Sequence, residues 1–163
     1  MTETKAEAPG EQIFINVTSA KTPSMGGNKF LLGVIDDKTD FVWVKPIRRK
    51  KDQVSTMMKF LRMMKTRGSP VRCVRLDNAG ENKDLQNKCA EGNDLNNVKF
   101  EFTPRDTPQY NGKIKRKFQT VYNRVRANCE AAGLTKKLRN KPWAEAFVTA
   151  VDVENLLVLS NHD

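Results

Sequence analysis

The sequence predicts an α/β domain in which a mixed five-stranded β-sheet carries helices on both faces. The first observation behind this class is the order of the periodic segments, because five strand-like stretches are interrupted, and then followed, by stretches with helical spacing. The second is the length, since 163 residues can bury one hydrophobic core without disulfide or metal cross-links. The polar start, MTETKAEAPGE, predicts a disordered lead-in over 1–11 and leaves 12–163 as the domain.

Each strand is predicted from its own pattern. IFINVTS alternates, whereas KFLLGVIDD is a nearly continuous apolar run, which favours burial on both faces. FVWVKPI follows after a short turn and completes an antiparallel hairpin. VRCVRLDN brings Asp77 to its C-terminal end, where open α/β sheets usually place their chemistry. With VKFEFT, the five predicted strands are residues 13–19, 29–37, 41–47, 71–78 and 98–103.

Four helices are predicted from the spacing of apolar side chains. Residues 52–66 carry a stripe rich in methionine, which favours a core-facing surface over a binding groove. Residues 83–92 are a shorter candidate, and the last two helices cover about 113–132 and 142–159. The apolar faces of those last two are Ile114, Phe118, Val121, Tyr122 and Val125 in the first, and Trp143, Ala146, Phe147, Ala150, Val151 and Leu157 in the second.

The charge balance favours a polyanionic partner. Lys and Arg number 29 and Asp and Glu 19, which gives a formal net charge of +10. Phosphate backbone is the first candidate for such a partner, and a merely soluble basic surface is the alternative. The sequence has no 18-residue apolar run and no signal peptide, so we expect a protein that is neither membrane-spanning nor secreted.

The cysteines and the histidine exclude several site types. Cys73, Cys89 and Cys129 are too scattered for a CxxC metal or redox site. We expect them to be buried, reduced thiols, which suggests the cytosol or the nucleus. The one histidine, His162, lies next to the C-terminus, which argues against a His/Cys zinc site and against a His-based triad.

The start of the helix predicted over 113–132 carries the wrong sign of charge. A helix N-terminus favours Asp or Glu, yet NGKIKRKFQTVYNRV (111–125) places four cations there. We interpret them as facing a phosphate backbone, and Tyr110 in the preceding turn either stacks on a base or is a structural loop aromatic. The predicted phosphate-contacting cations are Lys113, Lys115, Arg116, Lys117, Arg124 and Arg126.

Several motifs in order carry a family resemblance. RLDNAGE (75–81), TPQYNGKIKRKFQT (107–120) and KPWAEA (141–146), downstream of GGNKFLLGVIDD (26–37), resemble the integrase catalytic core of copia-type retrotransposons. The resemblance spans about residues 11–160. It implies an RNase H-like fold, DNA as a partner, the possibility of a homodimer and, in active members, three carboxylates that hold Mg²⁺ or Mn²⁺ for DNA strand transfer.

Two of the three implied acids are replaced in this chain. Only Asp77 matches its acidic position, whereas the first acid falls on Asn16 and the third on Lys115. The separations are 77 − 16 = 61 and 115 − 77 = 38 residues. The formal charge of the three positions is therefore 0 rather than −3, and an ammonium near Asp77 can pair with it and occupy the space of a metal ion. We expect weak or absent metal binding at Asp77 and impaired catalysis.

Three alternatives accompany this interpretation. A non-catalytic DNA-binding or assembly module needs only the cations. An active integrase would need substitute carboxylates, for which Asp36, Asp37 and Glu81 are candidates, although Asp pairs in loops more often cap turns. An unrelated basic RNA-binding protein would require the ordered motifs to be coincidental. The chain is either a fragment of a longer polyprotein or a standalone gene product.

Overall fold

A mixed five-stranded sheet forms the centre of the fold. The computed structural model describes residues 6–103, 112–135, 138 and 140–160. The strand order is β3-β2-β1-β4-β5, which confirms the predicted fold class. The strands are β1 (Gln12–Ser19), β2 (Phe30–Asp36), β3 (Val42–Ile47), β4 (Cys73–Asp77) and β5 (Lys99–Thr103).

The pairing directions decide which strand ends meet. β2 is antiparallel to both β1 and β3, whereas β1 and β4, like β4 and β5, are parallel. β1, β3, β4 and β5 therefore run the same way, and their C-terminal ends share one edge of the sheet. Asp77 ends β4 at this edge, as predicted.

Helices cover both faces of the sheet. α1 (Asp52–Thr66) and α2 (Gly80–Glu91) bury one face, and α3 (Gly112–Ala131) and α4 (Trp143–Ser160) bury the other. The predicted bounds agree to within three residues, and the methionine stripe of α1 lies in the core. No helix within the described ranges is long and apolar enough to cross a membrane.

Two side chains assigned to apolar faces are exposed instead. Tyr122 of α3 is 57% exposed and Leu157 of α4 is 50% exposed, so both assignments were wrong. Residues advance about 100° per position around a helix, which places Tyr122 about 80° from Ile114 and at the margin of the face that Phe118 and Val125 bury. Tyr122, eight residues after Ile114, was thus predicted to be part of the core although it lies on the flank of α3.

The lead-in contacts the domain where the structure describes it. Ala6 is buried and its N–H donates to Asp37 Oδ2 at 3.2 Å. The N–H of Gly10 donates to Asp36 Oδ1 at 2.8 Å. Ala6 and Gly10 therefore contact the end of β2 and the turn that follows it.

A side chain from α4 occupies the outer edge of β3. Asn155 Oδ1 accepts from the N–H of Val42 at 2.9 Å, and Asn155 Nδ2 donates to the carbonyl of Val42 at 2.8 Å. Asn155 is buried, so this pairing fixes α4 over the β3 side of the sheet. Pro46, further along the same strand, has no N–H to offer, which suits an edge position.

Candidate functional site

The sheet register places Asn16 and Asp77, two of the three positions that the resemblance assigns to acids, at the same level of the sheet. Phe14 of β1 is level with Arg75 of β4, and the same register offset carried two residues further puts Asn16 level with Asp77. Because side chains alternate along a strand, all four project from one face, on which Phe14 lies in the same cluster as the side chains of α3. Asn16 also pairs with Gly33 of β2, against which Phe118 of α3 packs.

Lys115 lies on the flank of α3 that faces away from α4. Ile114 points into the core, so positions 113 and 115 project to opposite sides of the helix. Lys113 reaches the β2–β3 hairpin, and Lys117 on the same side reaches α4. Since α4 covers the β3 side, Lys115 projects toward β1 and β4, where Asn16 and Asp77 lie.

Lys115 and Asp77 do not form an ion pair. Lys115 is exposed, and its side chain makes no hydrogen bond or ion pair with the residues that the structure describes. Asp77 Oδ1 instead accepts from Asn82 Nδ2 at 2.5 Å and from the N–H of Ala79 at 3.3 Å. The Asp77 carboxylate is thus held by donors in the turn after β4 and in the first turn of α2.

Behind Asp77 lies a buried pair of amides. Asn82 Nδ2 also donates to the Asp77 carbonyl at 2.9 Å, while Asn82 Oδ1 accepts from Gln53 Nε2. Gln53 is only 2% exposed and Asn82 5%. The sequence interpretation missed both residues, although Asn82 shares the i, i+3, i+7 spacing of Leu85 and Cys89, which marks a polar residue on the buried face of α2.

The substitute carboxylates have other partners. Asp36 is buried and accepts from Gly10 and Thr39, and Asp37 accepts from Gln12 Nε2 at 3.0 Å. Asp36 pairs with Ile13, three residues before Asn16 and so roughly 10 Å away along the strand. Within the described ranges, no three His, Cys, Asp or Glu side chains lie close enough together to hold a metal ion.

Glu81 also lacks the freedom of a ligand. Its Oε2 accepts from Lys50 Nζ at 3.2 Å, so it connects the first turn of α2 to the segment before α1. Backbone hydrogen bonding at its own position and the Lys50 ammonium hold the pKa of Glu81 below its usual range. Glu81 thus acts as a structural acid at the start of α2.

Lys113 binds the hairpin at the far end of β1. Its Nζ lies 2.7 Å from Asp40 Oδ1 and 3.2 Å from Asp37 Oδ1, and it also donates to the Asp37 carbonyl at 2.6 Å. Burial lowers the pKa of Lys113, but the hydrogen bonds and charges of Asp40 and Asp37 outweigh this effect and hold the pKa above its usual range. Lys113 therefore fixes the start of α3.

Lys117 and Arg124 are joined to α4. Lys117 Nζ lies 2.7 Å from Glu154 Oε1, and Arg124 donates to Glu154 Oε2. Glu154 is buried, so its carboxylate neutralises part of the charge of both cations. Three of the six cations predicted to contact phosphate thus have partners inside the fold.

The opposite flank of α3 is exposed. Lys115, Gln119, Tyr122 and Arg126 succeed one another at i, i+4, i+7 and i+11, and all four are exposed. Arg126 Nε lies 3.6 Å from Glu130 one turn later. Arg116 projects outward between the flanks, also exposed. Tyr110 lies outside the described residues.

A buried arginine adjoins the site. Arg75 is buried two residues before Asp77, with its guanidinium 5.6 Å from the centre of the Phe14 ring. Its Nε donates to Glu101 Oε2 at 2.8 Å. No local pattern indicates this pair, because the partner of Arg75 lies on another strand, 26 residues away in the sequence.

Known proteins resemble the chain in sequence and in fold. The Retrovirus-related Pol polyprotein from transposon TNT 1-94 of Nicotiana tabacum is 31% identical over 130 residues, which are 78% of this chain and 9% of the polyprotein. No family model matches the chain. This chain thus spans a small part of that relative, and the activity of the whole polyprotein does not transfer with the similarity.

Solved structures give the same fold. A simian T-cell lymphotropic virus intasome, solved in complex with PP2A regulatory subunit B56 gamma, matches with a TM-score of 0.66 and 12% identity, over 91% of this chain and 49% of the matched chain. The HTLV-2 integrase catalytic core domain, in a dimeric form with magnesium, matches with a TM-score of 0.61 and 15% identity, over 89% of this chain and 86% of that domain.

The strand order and the flanking helices define an RNase H-like domain. Together with the transposon relative, they support an integrase core of that superfamily, as the resemblance to copia-type retrotransposons indicated.

Proposed function

We propose that this integrase core-like domain binds nucleic acid through the exposed flank of α3 and lacks metal-dependent strand transfer. The observation that carries the proposal is the position of Lys115. Lys115 projects from the exposed flank of α3 toward Asn16 and Asp77 and is paired with none of the described residues, and the resemblance assigns the third acid to its position. A cation there opposes a metal ion and favours a phosphate.

The donor set does not fit a divalent ion. Mg²⁺ takes oxygen ligands, preferably carboxylates, in nearly octahedral geometry. Of the three positions only Asp77 offers a carboxylate, and its Oδ1 already accepts two N–H donors. Asp36 and Asp37 lie beyond reach at the other edge of the sheet, which argues against an active integrase with substitute ligands.

DNA binding agrees with the remaining charges. Phosphate contacts require cations at the surface, and Lys115, Arg116 and Arg126 are exposed along one helix; Arg126 has a partner in Glu130, but at 3.6 Å and on the surface. Tyr122, exposed between Lys115 and Arg126, offers a ring on which an unpaired base can stack. Carboxylates already hold Lys113, Lys117 and Arg124. These three side chains therefore add to the positive electrostatic potential near α3 but do not contact phosphate themselves.

A charge-matched pair of variants tests the interface. Replacing Lys115, Arg116 and Arg126 with Ala should weaken binding to duplex DNA of any sequence and reduce the dependence of log Kd on log salt by about three ions. The control replaces Lys59, Arg67 and Lys83, three exposed cations on or beside α1 and α2, and so has the same net charge. Equal weakening by both variants would contradict a defined interface.

A stacking test separates single strands from duplex. Tyr122→Ala should weaken binding to single-stranded DNA by about fivefold or more and leave duplex binding almost unchanged, because stacking requires an unpaired base. Tyr122→Phe keeps the ring and should bind like the unaltered protein. An affinity for either DNA that is independent of salt would contradict the proposed phosphate contacts.

A further inference from the structure

We propose that Asn82, held by Gln53, makes Asp77 a structural acceptor in this chain and competes with any cation for its Oδ1 atom. The inference rests on the proposed loss of metal binding and adds a third cause to the two missing acids. It assigns to Asn82 and Gln53 a role in positioning the one acid that the chain retains.

The amides are oriented by what they can donate and accept. An ionised carboxylate only accepts hydrogen bonds, so the atom of Asn82 that faces Asp77 must be Nδ2. That leaves Asn82 Oδ1 as an acceptor for Gln53 Nε2, which faces it. Gln53 therefore donates to Asn82, and Asn82 donates to Asp77. Reversing either amide would place two donors or two acceptors opposite each other.

Burial makes this chain of hydrogen bonds costly to break. Both amides are almost completely buried, so neither can exchange its partner for water without a movement of α1 or α2. A buried polar group left without its partner costs more than the hydrogen bond itself contributes. The Asn82 side chain is thus bound on both sides, to α1 and to the end of β4.

The hydrogen bonds occupy the atom that a cation would use. A carboxylate oxygen offers about two lone-pair sites, and Asp77 Oδ1 accepts from both Asn82 Nδ2 and the N–H of Ala79. Asn82 Nδ2 also holds the Asp77 carbonyl, so the whole residue is fixed to the start of α2. None of the described residues donates to Oδ2, which is left for another ligand.

A double-mutant cycle on the full chain tests the structural role. Asp77→Ala and Asn82→Leu each remove one side of the contact, and Leu keeps the branching and the number of heavy atoms of Asn without its polar groups. We expect each single variant to lower the free energy of unfolding, measured in urea. The double variant should be no less stable than the less stable of the two single variants. The coupling should be about tenfold or more in the unfolding equilibrium constant. Additive effects, within twofold, would overturn the proposal.

Two further variants keep that test decisive. Asn87→Leu, on an exposed position of the same helix, should unfold like the unaltered protein and show no coupling to Asp77→Ala. If Asn82→Leu does not fold, Asn82→Ser supplies a shorter, polar side chain that cannot reach Oδ1, and the same coupling is expected. Coupling of Asp77 to position 87 equal to that at position 82 would also overturn the assignment.

A Mn²⁺ titration followed by electron paramagnetic resonance tests the competition. In a chain that carries Asn16→Asp and Lys115→Glu, adding Asn82→Leu should raise the affinity for Mn²⁺ by about tenfold. Equal affinity with and without that change would overturn the competition. If the cycle shows coupling but neither reverted chain binds Mn²⁺, the structural role of Asp77 is supported, whereas the explanation of lost metal binding by two missing acids fails.

Discussion

The ring of Phe118 lies where any side chain on Gly33 would have to be. A Cβ built on Gly33 would lie 1.7 Å from Phe118 Cζ, so α3 approaches β2 through the space that a glycine leaves. The same glycine pairs with Asn16, and the ring of Phe118 also meets Phe147 of α4 at 5.6 Å between centroids. The position of α3 relative to the site thus depends on one close contact.

Changing either side of that contact should destabilise the domain. Phe118→Ala removes a large buried ring and should lower the free energy of unfolding by about 3–5 kcal/mol. Gly33→Ala places a methyl group where the Phe118 ring lies, so the ring must move. Because the clash disappears when the ring does, the two changes together should cost less than the sum of the single costs, as measured by urea unfolding. A loss below about 1 kcal/mol for Phe118→Ala would contradict this packing.

Glu154 should stabilise the contact between α3 and α4. Glu154→Gln removes the charge that faces Lys117 and Arg124 and should lower the free energy of unfolding by about 1–3 kcal/mol, less than for a fully buried pair because Arg124 is partly exposed. The matched control, Glu91→Gln, lies at an exposed position at the end of α2 and should change stability little. Similar losses for both variants would indicate a general effect of net charge.

Lys113 should make stability depend on pH in the alkaline range. Its pKa is raised in the folded state, so its contribution is complete below the unfolded pKa of about 10.4 and is lost as the pH rises through the higher folded value. Thermal unfolding between pH 8 and pH 11 should therefore show a steeper alkaline decline for the unaltered protein than for Lys113→Gln. Parallel curves would mean that the pairs with Asp37 and Asp40 do not stabilise the fold.

Restoring both acids should restore a metal site only in combination. Asn16→Asp and Lys115→Glu change the three positions from 0 to −3 and the chain from +10 to +7. Each single reversion leaves the site one ligand short, so the effects on Mn²⁺ or Mg²⁺ affinity should be strongly non-additive. Any strand transfer that returns in the double revertant should be lost with Asp77→Asn. If the unaltered protein showed metal-dependent turnover and Asp77→Asn abolished it, the proposal that the domain is inactive would be contradicted.

The sheet and its helices could be predicted because their signals are local. The alternation of IFINVTS, the apolar run of FLLGVI and the helical spacing of the methionines each indicate an element without knowledge of its neighbours. The position of Asp77 at a strand end followed from the same patterns. Tyr122 was misplaced because periodicity gives a face, whereas the edge of that face depends on where α4 lies.

The partners of the charged side chains could not be predicted. Lys113 and Lys117 were predicted to contact phosphate because they share a helix with Lys115. The carboxylates that they bind, those of Asp37 and Glu154, lie 76 and 37 residues away in the sequence. Asp36 was correctly favoured as a turn residue, since its partner Thr39 is close by. The pairing of Gln53 with Asn82 spans 29 residues and depends on how α1 meets α2, which no local pattern encodes.

The two hydrogen bonds between the Asn155 side chain and the Val42 backbone limit how two copies of the domain can associate through β3. A second molecule adding its own strand beside β3 would need the N–H and carbonyl that Asn155 already holds, and it would then meet Pro46, which has no proton to donate. Continuous sheets running from one molecule into the next are therefore disfavoured on this side. Contact between copies here would have to use side chains rather than backbone, and single substitutions could then strengthen or abolish it.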